Sequence, residues 1–255
     1  MSLDLDSLVA IDVHTHTHAS IRASEPDPVT QEFLAAAARY FGGDPPQPTV
    51  QDVADYYRER KLAAVVFTVD SDSGTGQSHV SNEEVFELAA ANADVLIPFA
   101  SIDPHKGKRG VELARRYVSE HGVRGFKFHP NTQAFWPDDR AFYPLYEVIA
   151  EAGAIALFHS GTTGIGAGMP GGGGVHLKYS NPMAVDDVAA DFPSWTSSWR
   201  IRASPGRTRR SRSPRISRTC TSTSRAGRRS TSPSSSCATR TRSSSTRCCS
   251  APTFR

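Results

Sequence analysis

Cysteine is absent from the first 193 residues of this 255-residue chain, and all four cysteines lie at or after position 220. Those 193 residues need no disulfides, which is typical of a cytoplasmic protein. The opening Met-Ser-Leu-Asp-Leu-Asp lacks the basic segment and apolar run of a secretory signal. No apolar run approaches the roughly 18 residues needed to span a bilayer. We therefore expect a cytoplasmic protein with no membrane partner.

Acids, lysine, histidine, leucine and valine are all missing from residues 194–255. That segment contains 15 arginines, 18 serines and 10 threonines, whereas residues 1–193 contain all 26 acids and all nine histidines. A single globular domain rarely divides its composition so sharply. The sequence predicts a folded domain over 1–193 and a disordered basic Ser/Arg/Thr-rich tail over 194–255.

Short apolar runs alternate with amphipathic segments through the first 193 residues. The predicted strands are Leu8–Val13, Ala63–Val69, Val95–Ile102, Gly125–His129 and Ala154–His159. The predicted helices cover 30–41, 50–60, 82–92, 108–120, 140–152 and about 184–190. Most strands are apolar almost throughout, as expected of parallel strands covered on both faces. This alternation indicates βαβ units and an α/β fold.

Two architectures fit this alternation, an open doubly wound sheet and a closed (β/α)₈ barrel. Reactive side chains lie at the ends of three predicted strands: the first ends in His-Thr-His, the fourth in Lys-Phe-His-Pro and the fifth in His-Ser-Gly. A barrel collects such groups at the C-terminal ends of several strands, whereas an open sheet binds ligands at one switch point. We therefore predict a TIM-barrel-like fold of which about the first five to six βα units are present.

The first strand leads into two histidines, His14 and His16. Residues two apart on a strand face the same side, so both imidazoles can converge on one cation. His18 shares this parity, so His16 and His18 could also form the pair, but His14 and His16 are nearer the strand and are held more rigidly. The alternative interpretation is that these histidines are solvated residues of a turn. His159 ends another buried strand, where a lone histidine is more often structural. Three histidines expected at one face together predict a metal site.

Lys127 and His129 share parity at the end of the fourth strand. A buried lysine is costly unless its pKa falls or it is modified. Lys127 can therefore anchor an anionic substrate group or be carbamylated to bridge two metals, and pairing with an acid is an equal alternative. His129 is predicted either to donate a proton or to be a supporting residue that does not contact the metal ion directly.

Residues 161–174 are rich in glycine and follow the fifth strand. A phosphate-binding loop is one interpretation, but no helix is predicted directly after the glycines to complete it. We instead predict a long active-site loop that admits substrate. Phe135 and Trp136, after the fourth strand, are predicted to line the same mouth for a flat or aromatic substrate; a hydrophobic cap fits them equally well.

Three segments together resemble the amidohydrolase superfamily: Asp12-Val-His14-Thr-His16, Gly125-Phe-Lys127-Phe-His129-Pro and Leu157-Phe-His159-Ser-Gly161. The resemblance covers roughly residues 8–193. It is to the branch containing aminocarboxymuconate-semialdehyde decarboxylase and resorcylate decarboxylase, and 4-hydroxyphenyl-β-ketoacyl-CoA hydrolases look related. It implies a distorted (β/α)₈ barrel. It also implies that His14, His16 and His159 bind a divalent metal, most often Zn²⁺.

The resemblance implies a metal-dependent hydrolase that uses a metal-activated water on a small carboxylated, aromatic or acyl-CoA substrate. Lys127 and His129 are the candidate catalytic residues. Non-oxidative decarboxylation is the alternative reaction, and a homodimer is expected from similar proteins. A different class of function, nucleic-acid binding, would rest on the basic tail, whose arginines would attract phosphates without sequence specificity.

The family also requires a histidine after strand six and an aspartate after strand eight, and neither follows residue 193. Read one base out of frame, residues 195–204 are compatible with Asp-Ile-Val-Met-Ala-His-Pro-Ser. Residues 220–227 are compatible with Tyr-Ile-Asp-Leu-Ser-Gly-Trp, and 248–255 with Leu-Phe-Gly-Ser-Asp-Phe-Pro. We interpret the tail as out-of-frame sequence and expect impaired activity. The nucleotide sequence across codons 190–200 tests this hypothesis.

Overall fold

The computed structural model describes residues 3–23, 25–193 and 195. The predicted tail therefore lies outside the described residues, apart from Trp195. The Trp195 indole N–H donates to the carbonyl of Ala154 over 3.0 Å, and its ring packs on Tyr146 and Phe192. The folded domain therefore includes Trp195, two residues beyond the predicted boundary. The tail's disorder and its out-of-frame origin stay predictions.

Strands and helices alternate along the described chain. The strands are β1 Ala10–His16, β2 Leu62–Phe67, β3 Leu96–Pro98, β4 Ala100–Ser101, β5 Gly125–Phe128 and β6 Ile155–Phe158. The helices are α1 Pro28–Phe41, α2 Val50–Glu59, α3 Asn82–Ala91, α4 Gly107–His121, α5 Pro130–Gln133, α6 Tyr143–Glu151 and α7 Pro182–Asp191. No helix in the described part of the chain combines the length and apolar character needed to cross a membrane.

All strand pairs are parallel, and they form two three-stranded sheets in the orders β1-β2-β3 and β4-β5-β6. Only Phe99 separates β3 from β4, so the single strand predicted over Val95–Ile102 is broken in two. The break follows Pro98, which has no N–H to donate to a ladder. The Phe99 ring also fills the space that a side chain at position 125 would need: a Cβ on Gly125 would lie 2.3 Å from it.

Local sequence signals account for the helix ends. The Asp27 carboxylate caps α1 by accepting from the backbone N–H groups of Val29 and Thr30. Thr49 and Asp52 form a reciprocal capping box at the start of α2. Gly42 ends α1 in a left-handed conformation with φ of 78°, which glycine adopts without steric cost.

Side chains of the strands alternate between an outer and an inner face. Phe126 and Phe158 pack outward into the larger core with the helices. Phe67 and Leu157 belong to a separate cluster on the inner face. Lys127 lies between outward-facing neighbours and is therefore directed inward, as its parity predicts. The polar side chains of the candidate active site lie on this inner face, at the C-terminal ends of the strands.

Candidate active site

A β-bulge in β1 positions His14. Asp12 pairs with Ala64 and Thr15 with Val66, so two residues of β1 occupy the interval that β2 spans with one. The His14 N–H donates instead to the Asp12 carboxylate, Oδ1, over 2.9 Å. Bulges bend a strand and re-aim its side chains. Regular alternation after Val13 predicts that both histidines lie on one side of the chain. The strand in fact extends to His16, and the bulge directs His14.

The two histidines of β1 converge through their Nε2 atoms, which lie 3.1 Å apart. Nitrogens bound to one cation at 2.0–2.1 Å are separated by about 3.0–3.4 Å, so this spacing suits joint coordination. His16 and His18, by contrast, stack with ring planes only 10° apart. The geometry thus favours His14 with His16 over the pair of His16 with His18.

A hydrogen-bond chain from α2 supports this arrangement. The Tyr57 hydroxyl donates to the Asp12 carboxylate, Oδ2, over 2.7 Å and accepts from the Thr15 hydroxyl over 3.1 Å. Burial raises the pKa of Tyr57 above its usual value, so the hydroxyl keeps its proton and remains a donor. The sequence analysis missed Tyr57, since a tyrosine 45 residues from its partner has no local signal.

Lys127 is fully buried beside the histidine pair. Its Nζ lies 3.3 Å from Nε2 of His14 and 5.1 Å from the ring centroid of Phe67. Among the described residues it forms no ion pair with an acid, so the structure gives no support to that alternative. Burial lowers the pKa of Lys127 to about 7. Near neutral pH the amine therefore exists in both protonation states.

His129 and His159 lie side by side at the ends of β5 and β6. Their rings stack with centroids 4.0 Å apart and planes 10° apart. Nδ1 of His129 is buried and has no hydrogen-bond partner among the described residues. Burial, with His159, Lys127 and His14 nearby, holds the pKa of His129 well below its usual value. The imidazole is therefore neutral near pH 7.

The five predicted side chains form two contacting groups, His14 with His16 and Lys127, and His129 with His159, which interact electrostatically. Together they are hereafter the histidine–lysine cluster. Burial, followed by the charges of Lys127 and the neighbouring histidines, keeps the pKa of His16 well below 6.5. A neutral imidazole is the form that binds a metal. The convergent nitrogen pair therefore fits a divalent ion such as Zn²⁺.

A second group of potential ligands was not predicted. The described part of the chain contains one set of three or more His, Cys, Asp or Glu side chains whose ligand atoms all lie within 4.8 Å of one another. Its members are Asp70, Asp72 and His79. His159 does not complete such a set with His14 and His16. The available sequence signal was Asp70-Ser-Asp72, which follows β2 by two residues.

The predicted mouth residues have different surroundings. Phe135 is only 1% exposed and packs against Phe128 and Phe142, so its placement at the mouth is wrong. It follows a short helix, α5, that turns the side chain into the core. Trp136 is 39% exposed and contacts the ring of Tyr179, in the loop after β6, edge-on at 5.2 Å.

The glycine-rich loop after β6 folds against α1. Gly171, Gly172 and Gly173 all have φ near +60°, a left-handed turn that glycine alone adopts readily. A Cβ on Gly173 would lie 2.7 Å from the Phe33 ring, so the loop backbone packs directly on that side chain. The next helix, α7, begins only at Pro182, so no α-helix directly follows the glycines, as expected.

Comparison with known proteins identifies similar sequences and folds. The model of a family described as amidohydrolase matches residues 11–196. An uncharacterised TIM-barrel protein from Bordetella bronchiseptica superposes with a TM-score of 0.53 at 20% identity, over 74% of this chain and 66% of that one. No curated protein matches the sequence.

Two decarboxylase structures have the same fold. The 5-carboxyvanillate decarboxylase of Sphingomonas paucimobilis has a TM-score of 0.50 and 14% identity, over 74% of this chain and 66% of its own. That of Novosphingobium aromaticivorans, with bound manganese, has a TM-score of 0.51 and 11% identity, over 78% and 68%. These likenesses confirm the predicted TIM-barrel-like fold. The chain spans about two thirds of the length of these structures.

Proposed function

Because the chain belongs to the amidohydrolase family, and is thus an enzyme by ancestry, we propose that it is a metal-dependent hydrolase. Its substrate is a small carboxylated, aromatic or acyl-CoA compound. The observation that carries this proposal is the 3.1 Å separation of the His14 and His16 Nε2 atoms, beside the buried amine of Lys127. Two convergent imidazoles at a strand end are poor structural elements and good metal ligands.

His14 and His16 would hold the ion; His159, the third ligand that the resemblance implies, does not lie with them in one set of ligand atoms within 4.8 Å in this structure. When bound, a divalent cation such as Zn²⁺ supplies Lewis acidity toward a water or a substrate oxygen. The protein's part is to hold the nitrogen donors in place. The Asp12 carboxylate holds the His14 backbone, and Tyr57 holds that carboxylate.

Lys127 would act on the substrate from inside the barrel. Its Nζ, 3.3 Å from His14 Nε2, can pair with a carboxylate or enolate next to the ion site. With a pKa lowered by burial to about 7, the same amine can also give up or take up a proton near neutral pH. A small anionic substrate suits a fully buried cation that has no acidic partner among the described residues.

His129 would hold a proton at Nδ1. That atom is buried without a hydrogen-bond partner among the described residues, and its ring is fixed by stacking on His159. The backbone N–H of His129 donates to the Gln133 side chain over 2.7 Å, which fixes the residue further. A fixed neutral imidazole close to Lys127 suits general acid–base catalysis.

Non-oxidative decarboxylation is supported equally well. A buried ammonium beside an ion site also suits a substrate that binds through a carboxylate and then loses it. Two structures of similar fold are 5-carboxyvanillate decarboxylases. Oxygen-18 from labelled water enters the organic product only in hydrolysis, whereas decarboxylation in D₂O releases CO₂ and leaves deuterium on the carbon that carried the carboxylate. Product mass spectrometry thus separates the two reactions.

The proposal is tested with the full chain loaded with Zn²⁺ and offered carboxylated aromatic compounds and acyl-CoA thioesters. We expect turnover, reduced by the altered tail, that disappears with His14→Ala/His16→Ala. His18→Ala is the matched control, since it removes a histidine of the same strand end without breaking the convergent pair. Turnover that is equal in the double variant and the unmodified chain would refute the assignment.

A further inference from the structure

A second set of metal-ligating atoms lies beyond the end of β2, separate from the histidine–lysine cluster. Nδ1 of His79 is 3.9 Å from Oδ1 of Asp70 and 3.4 Å from Oδ1 of Asp72. All three ligand atoms lie within 4.8 Å of one another. Ligands of one cation are separated by about 3.0–3.4 Å, so a small inward movement brings these atoms to that spacing. We propose that Asp70, Asp72 and His79 form a second divalent-cation site.

Lys106 forms an ion pair with one oxygen of each of the two carboxylates. Its Nζ lies 2.5 Å from Oδ2 of Asp70 and 3.1 Å from Oδ2 of Asp72. The ammonium thus binds one oxygen of each aspartate and leaves both Oδ1 atoms directed at His79. One lysine neutralises only one of two carboxylates. The remaining negative charge favours a cation beside the Oδ1 atoms, which are the carboxylate oxygens closest to His79.

The Asp70 side chain provides independent evidence for a ligand. Only 3% of it is exposed, and its Oδ1 has no hydrogen-bond donor among the described residues. At 3.9 Å, Nδ1 of His79 is too distant for a hydrogen bond. A buried carboxylate oxygen without a donor is costly. A cation held between Asp70 and His79 would satisfy it.

The scaffold of this site is rigid. The Asp70 N–H donates to the Ser101 hydroxyl over 3.1 Å, and its carbonyl accepts from the Gln133 amide over 2.8 Å. The turn that carries Asp72 packs on the backbone of α5, since a Cβ on Gly74 would lie 1.9 Å from the carbonyl oxygen of Thr132. Donors fixed before binding lose little entropy when an ion arrives.

The site borders an open cavity. A cavity of about 430 Å³ is lined by Asp70, His79, Lys106 and Arg109, among others. The Asp72 side chain is 50% exposed, so an ion here would keep coordination positions accessible to water or to an anionic ligand. Two carboxylate oxygens and one imidazole suit Zn²⁺ or Mn²⁺. Co²⁺ takes similar ligands and absorbs visible light, which makes it a suitable probe.

The experiment titrates the full chain with Co²⁺ in the His14→Ala/His16→Ala background, which removes the other proposed site. We expect one Co²⁺ per chain, with a visible absorption band. His79→Gln should weaken binding at least tenfold, and Lys106→Gln should strengthen it about tenfold because a competing positive charge is removed. His105→Gln is the control, since this exposed histidine adjoins Lys106 in the chain but its ring contacts Ala134 and Phe142.

Two results would overturn the proposal: no Co²⁺ bound in that background, or the same affinity after His79→Gln. If these residues form only an ion-pair network, Lys106→Gln should lower the melting temperature and the variant should bind no Co²⁺. If His79→Gln does not fold, Asp72→Asn replaces it, since Asp72 is half exposed. When His79→Gln or Asp72→Asn is made in the otherwise unmodified chain, the number of Co²⁺ ions bound per chain should fall from two to one. The titration in the His14→Ala/His16→Ala background does not depend on the His14–His16 site, so failure of that site alone leaves its result of one bound Co²⁺ unchanged.

Discussion

Nζ of Lys127 and Nε2 of His14 lie 3.3 Å apart, although 113 residues separate them in the chain. The contact joins the inner face of β5 to the bulge of β1. A buried amine, whose pKa is lowered to about 7, thus lies directly beside the nitrogen pair proposed to hold the metal.

Replacing Lys127 with methionine should separate catalysis from stability. The substitution keeps a similar volume and removes a buried polar group without an acidic partner among the described residues, so thermal denaturation should show an unchanged or higher melting temperature. Turnover should fall about 100-fold or more, as expected for loss of a proton-transfer or anion-binding group. Retained turnover in a folded Lys127→Met protein would show that the amine has no catalytic role.

Tyr57→Phe should weaken the support of the metal site. It removes a 2.7 Å hydrogen bond to the Asp12 carboxylate and should lower the free energy of unfolding by about 1.5–3 kcal/mol. Affinity for Zn²⁺ should fall about tenfold, because Asp12 holds the His14 backbone. Tyr40→Phe, at a largely exposed position, is the control and should change neither quantity. Equal affinity in the two variants would contradict this role.

Stability should depend on pH through Asp27. Hydrogen bonds from the Ser78 side chain, then from Thr30, hold its pKa well below the usual value. A carboxylate with a lowered folded-state pKa stabilises the fold above its unfolded pKa, near 4, and that contribution is lost as pH falls further. Asp27→Ala should cost about 1 kcal/mol at pH 7. Urea denaturation should show this difference shrinking below pH 4; a constant difference would be the contrary result.

Gly173→Ala should displace the loop after β6 from α1. The new Cβ would lie 2.7 Å from Phe33 and 2.9 Å from the Met169 sulfur, at a φ of +60°. Gly174→Ala is the matched control, with a φ of +80° and no atom within 4 Å. Both variants incur left-handed strain of about 1 kcal/mol, and Gly173→Ala adds a clash. Limited proteolysis should cleave the Gly173→Ala loop faster; equal rates would exclude the packing role.

Sequence reasoning identified the βα alternation and the polar strand ends, because both follow from local patterns of apolar and polar residues. Parity predicted that Lys127 and His129 share one face of the strand, but the packing of the neighbouring Phe126 and Phe128 into the outer core is what shows that Lys127 faces inward. It could not show the bulge at His14, which depends on how β1 pairs with β2. Phe135 was misplaced because a short helix after β5 turns it into the core.

Long-range relationships account for the other omissions. Tyr57 reaches Asp12 from another element. His79 comes close to Asp70 and Asp72 only because the loop between β2 and α3 folds back on itself. The break at Phe99 arises where its ring meets Gly125, a contact that no single segment encodes. Each depends on tertiary packing, which a one-dimensional pattern does not contain.

Anomalous diffraction at the zinc absorption edge, from crystals of the full chain grown with Zn²⁺, tests the central claim most directly. The account predicts a peak about 2.0–2.3 Å from the Nε2 atoms of both His14 and His16. Crystals with zinc bound elsewhere, and no peak between these two nitrogens, would contradict it.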